Sequence, residues 1–162
     1  MIGDLRIGGK MNLADLPQKI IGPWNNKTTP IVIRSASKGV QLALRTPYAD
    51  DNKFWVNRLA SSRAVWDGNL KAWILPMRWL NNVINRSLER CGSIYVVQPY
   101  NDSETCAPAC RNATGHVCEC SCMGEFHGTQ DGESWFDVSE TFAIRWKGPE
   151  LAIRKITKKQ AA

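Results

Sequence analysis

IVIRSASKGVQLALRTPYADDNKFWVNRLASSRAVWDGNLKAWILPMRWLNNVINRSLERCGSIYVV, residues 31–97, carries the clearest patterning of the 162-residue chain. Residues 31–35 are rich in β-branched side chains and read as a strand. A Lys38-Gly39 turn leads to a second strand over 40–45, with Val40, Leu42 and Leu44 on one face. Asp50 or Asp51 can cap a helix running to about Ala60, whose apolar stripe is Phe54, Trp55, Val56 and Leu59. Residues 63–66 and 71–75 flank Asp67-Gly68-Asn69, a hairpin signal. Pro76 then opens a helix to about Arg90, because a first-turn proline gives up only an N–H that has no helical partner. Cys91-Gly92 closes that helix, and residues 93–97 are a further strand.

Working outward, residues 1–30 read as an irregular lead-in packed on the body. Asn12 can cap a short turn whose apolar side is Leu13, Leu16, Ile20 and Ile21. Residues 101–130 hold five of the six cysteines and both histidines. Residues 131–162 read as a C-terminal β-hairpin and basic tail packed on the body, turning at Lys147-Gly148-Pro149. The expected fold is α+β: a small mixed sheet with two helices in the order ββαββαβ, a Cys/His zinc knuckle and the C-terminal hairpin. The body spans residues 31–100.

Charge is divided along the chain. Residues 1–90 carry 14 Lys/Arg against 6 Asp/Glu, residues 91–140 one Arg against 8, and residues 141–162 six against one. Two basic segments therefore bracket an acidic one, a distribution suited to a nucleic-acid face built from the ends. No run approaches the ~18 apolar residues of a membrane span. The first residues include acids where a signal peptide needs an apolar stretch. A cytoplasmic, reducing setting and no membrane partner are the expectation, and reduction favours metal binding over disulfides.

The metal candidates are Cys106, Cys110, Cys118, Cys120, Cys122 and His127. Thiolate and imidazole at tetrahedral positions suit Zn²⁺ without redox chemistry. On an extended strand Cys118, Cys120 and Cys122 stand ~7 Å apart, so one ion needs a curled knuckle. Cys106, Cys110, Cys120 and His127 lead, with Cys118 and Cys122 beside them and His116 weaker. The net negative surroundings and the absence of an HExxH spacing favour a structural site, read as a clip joining the body to the C-terminal hairpin. An iron–sulfur cluster or a set of disulfides are the alternatives.

Pro47-Tyr48, Arg63, Trp66-Asp67, Lys71-x-Trp73 and Leu75-Pro76 together resemble the HARP (HepA-related protein) domain over residues 42–90. Members of that family anneal single strands and recognise branched DNA, so the resemblance implies nucleic-acid engagement by Arg63, Trp66, Lys71 and Trp73. No GxxxxGK[ST] phosphate loop is present, so the family's ATP-driven motor is not implied. The run CECSCMGEFHG also resembles a pattern in uncharacterised phage and plasmid proteins. Arginine and lysine meet phosphates and tryptophan stacks on unpaired bases, so Arg45, Arg78, Arg154 and Lys155 join the candidate set. The competing reading of Trp66 and Trp73 is cross-strand packing. For Arg34, Arg45, Arg58, Arg63, Lys71, Arg78 and Arg86 it is solvated surface, which only clustering in the fold would change.

The expectation is a DNA-binding accessory protein of a phage or mobile element, a binding module ahead of an enzyme. A protein-binding adaptor or inhibitor acting on a host protein is one alternative. A nuclease built from Asp131, Glu133, Asp137 and His127 around a divalent metal is the other.

Overall fold

A computed structural model describes residues 18–34, 41–59, 64–68, 70–99, 136–145 and 150–158. The elements run α1 (Gln18–Trp24), β1 (Ile31–Arg34), β2 (Gln41–Arg45), α2 (Asn52–Asn57), β3 (Val65–Asp67), β4 (Ala72–Pro76), α3 (Leu80–Cys91), β5 (Ser93–Pro99), β6 (Phe136–Arg145) and β7 (Glu150–Lys158). Among the described residues seven strands form one sheet in the order β3-β4-β2-β1-β5-β7-β6. It is mixed: β1 and β5 pair in parallel, Val32 opposite Val96, and the other neighbours are antiparallel. A register shift between Ser139 and Phe142 interrupts the β6–β7 ladder.

Every residue of β1 is buried, so both faces of the sheet centre must be covered. One face collects Ile31, Ile33, Ala43, Ile74, Tyr95, Val97 and Ile153 beneath Ile20 and Trp24 of α1. The other collects Val32, Leu42, Leu44, Leu75, Ile94, Val96 and Ile156 beneath α2 and α3. Helix α3 buries Leu80, Val83, Ile84, Ser87 and Leu88, the i, i+3, i+4, i+7, i+8 stripe of a helix on a flat layer. Gly92 ends it at φ 84°, a left-handed position glycine adopts without a Cβ penalty, and its N–H donates to Leu88 at 2.9 Å.

Two expectations are corrected. The first is the helix count: among the described residues three helices are present, not two. The third, α1, lies in the segment read as an irregular lead-in and contains Pro23. Burial outweighs the proline. Ile20 and Trp24, one turn apart, are 0% and 1% exposed against the sheet. The helix is also short, and Asn25 N–H closes its last turn on the Ile21 carbonyl.

The second correction concerns the Cys/His knuckle and its Zn²⁺. Among the described residues, no three or more His, Cys, Asp or Glu are placed to hold a metal ion. The described cysteine, Cys91, is a half-buried free thiol at the end of α3, and burial pushes its pKa up, away from the thiolate a metal needs. Cys106, Cys110, Cys118, Cys120, Cys122 and His127 lie outside the described residues. The join between body and C-terminal hairpin is instead a β-ladder, running from Ser93 opposite Thr157 to Pro99 opposite Leu151.

If α1 is part of the core, Trp24→Ala destabilises the fold by about 3–5 kcal/mol, the usual cost of deleting a buried tryptophan. The control Tyr48→Ala, at a residue 89% exposed, changes stability by no more than about 0.5 kcal/mol. Urea denaturation of both variants is the measurement. Equal midpoints would show that α1 does not belong to the core.

Candidate nucleic-acid interface

The sheet separates the sequence-predicted contact residues. Arg45 and Lys155 lie on the α1 side, in a register row that runs Arg45, Ile31, Tyr95, Lys155 across four strands. The Arg45 guanidinium sits 5.7 Å from the Trp24 ring centre, and the Lys155 ammonium 5.6 Å from that of Tyr95. Burial pulls the pKa of Arg45 below its ordinary value. Arg154 points to the opposite face and is 0% exposed, on β7 beside the strand of buried Gln98. It stands inside the fold, away from any surface ligand. Arg63 lies outside the described residues, as do Asp131, Glu133 and His127 of the nuclease reading.

Trp66 and Trp73 come together. They are cross-strand partners on β3 and β4, packed edge to face with ring centres 5.0 Å apart. Trp73 is half-buried against the core beneath α2 and α3, while Trp66 on the edge strand is 50% exposed. The pair packs across the strands, with the Trp66 ring left half-exposed at the sheet edge. Lys71, exposed, turns the β3–β4 hairpin at φ 56°. The turn is braced by the Leu70 N–H donating to the Asp67 carboxylate at 3.1 Å. Arg78 is exposed in the 3₁₀ turn before α3, 5.8 Å from the Trp79 ring centre.

A further gathering of charge and rings is one the strand pattern did not single out. Asn82, Arg86 and Arg90 recur every four residues along α3, about 6 Å apart. Asn82 Nδ2 donates to the Leu59 carbonyl at 3.2 Å, and Arg90 donates to both Asp51 carboxylate oxygens at 2.5 and 3.2 Å. These ties set α2 antiparallel to α3. Between them opens a groove of about 450 Å³ lined by Trp55, Arg58, Leu59 and Arg86.

The groove's walls are pre-set by stacking. The Arg90 guanidinium lies 4.8 Å from the Trp55 ring centre, and that of Arg58 lies 5.0 Å from Phe54. The Arg90 hydrogen bond holds the Asp51 carboxyl below the usual carboxylate range, and the same bond raises Arg90. Arg86 approaches Glu89 at 3.4 Å, with both side chains more than half exposed, so the pair is weak and exchangeable. At the far end of α2, Asn57 Oδ1 accepts from the Ala64 N–H at 3.1 Å. That bond brings the start of β3 against α2, so Trp66 and the 65% exposed Phe54 belong to the same helical side of the molecule. Guanidinium groups beside ring faces can meet phosphate oxygens and planar rings together.

The i, i+4 pair Phe54–Arg58 is visible in the sequence. The docking of α2 on α3 is not, since it joins residues more than twenty positions apart. Comparisons with family models, curated proteins and solved structures find no match to this chain. The HARP likeness of residues 42–90 therefore rests on its short motifs alone.

Because Arg90 depresses the Asp51 carboxyl in the folded state, that carboxylate contributes stability above the ordinary carboxylate range and loses it as pH falls through that range. Asp51→Asn is expected to melt below the wild type at pH 7, and the gap closes as pH drops below about 4. Thermal melts between pH 7 and 2.5 measure this. A gap independent of pH would contradict it.

Proposed function

We propose that the protein binds nucleic acid, DNA foremost, through the α2–α3 groove and the aromatic surface beside it. One observation carries this reading: Arg58 and Arg86 converge on a groove whose wall is Trp55, next to exposed Phe54. Arginine supplies the phosphate contacts that dominate nucleic-acid affinity, and exposed rings accept unpaired bases. The excess of basic residues over residues 1–90 gives the long-range attraction. Lys71 and Arg78 extend the basic surface towards the hairpin and the start of α3.

A protein partner is the second reading. It is favoured by the exposed rings of Tyr48, ahead of α2, and Phe54, on it, 89% and 65% exposed. Salt separates the two readings, because displaced phosphate counterions give a steep dependence and apolar contacts do not.

Titration of a fluorescent single-stranded oligonucleotide across salt concentrations tests the proposal. Wild-type affinity falls steeply, and Arg58→Ala and Arg86→Ala each flatten the log–log slope by about 0.7–1, one phosphate contact apiece. Salt-insensitive binding, or an unchanged slope in the double variant, would refute it.

A further inference from the structure

We infer that the α2–α3 groove is a single-nucleotide site, holding a base against Trp55 and its phosphate between Arg58 and Arg86. The inference rests on the nucleic-acid reading and gives this groove a ligand class of its own. Its volume of about 450 Å³ falls within the ~300–1,000 Å³ range of small-molecule sites. Here two guanidinium-bearing residues and two apolar ones line one depression.

The division of that lining defines the chemistry. Trp55, half-buried, gives the groove its aromatic ring, while Leu59, 3% exposed, contributes little surface. Arg90 stacks on Trp55 and is itself tied to Asp51 and Asn52. Arg58 rests on Phe54, which fixes its guanidinium at low entropic cost. The weak contact of Arg86 with Glu89 can be exchanged for a phosphate oxygen. The preferred ligand therefore combines a planar ring with an oxyanion. Inorganic phosphate supplies only the anion, and a nucleoside only the ring.

Calorimetric titration of the full chain with deoxyadenosine monophosphate, deoxyadenosine and inorganic phosphate tests this, with a single-stranded oligonucleotide as a fourth arm. The nucleotide is expected to bind at least about tenfold more tightly than the nucleoside or phosphate, from one charge-assisted contact or one stacked ring. Arg58→Gln and Arg86→Gln, at exposed positions, should each erase that advantage with an unchanged melting temperature. Equal affinity for phosphate and nucleotide, or for nucleoside and nucleotide, overturns the inference. So does an oligonucleotide that binds while the nucleotide does not, which leaves the broader reading standing. If neither binds, the nucleic-acid reading falls and the inference with it.

Discussion

The constraint on which the rest depends is burial on both faces of the central strands. Ile31 and Ile33 face one way, Val32 the other, and all are at most 1% exposed. A sheet whose centre is apolar on both sides needs a layer above and a layer below. Helix α1 supplies one, α2 with α3 the other. Helix α2 has only six residues, too few to be stable alone. It persists because Val56 and Leu59 enter the core and because Asn82 and Arg90 hold its two ends. The same ties that keep α2 folded create the groove. Stability and the candidate site thus share one set of contacts.

That origin explains which parts of the fold could be read from the sequence. Leu42 and Leu44 alternate with polar or small neighbours, and β2 spans Gln41–Arg45. The stripe through Leu80, Val83, Ile84 and Leu88 is likewise a local signal, and α3 buries it. Pro76 marks a boundary: it pairs with Gln41 at the end of β4 and caps the 3₁₀ turn Met77–Trp79 that leads into α3. Helix α1 was hidden because Pro23 argues against a helix locally, and the burial of Trp24 that overrides it is tertiary. The sheet order was also hidden. The parallel pairing of β1 with β5 joins residues some sixty positions apart, and no local pattern encodes it.

The candidate site shows the same division. Charge and ring content were visible as types of residue, but not as places. Arg154 shares its strand with Ala152 and Ile156 on one parity and Ile153 on the other, so alternation could not say which side faced water. Its full burial removes it from the surface. Arg45 and Lys155 sit on the side away from α2 and α3. Arg58 and Arg86, unremarkable as single exposed residues, acquire meaning only when α2 docks on α3 and sets both around Trp55. Basic composition is a weak guide to function by itself. What counts is whether the fold brings guanidinium groups to one side with a ring between them.

The most direct test of this account is the map of backbone amide shifts when a short single-stranded oligonucleotide is added to the isotope-labelled protein. The account predicts the largest perturbations at residues 54–59 and 82–90, with a smaller response around Trp66. Perturbations centred on Arg45 and Lys155, across the sheet, with α2 and α3 unchanged, would contradict it.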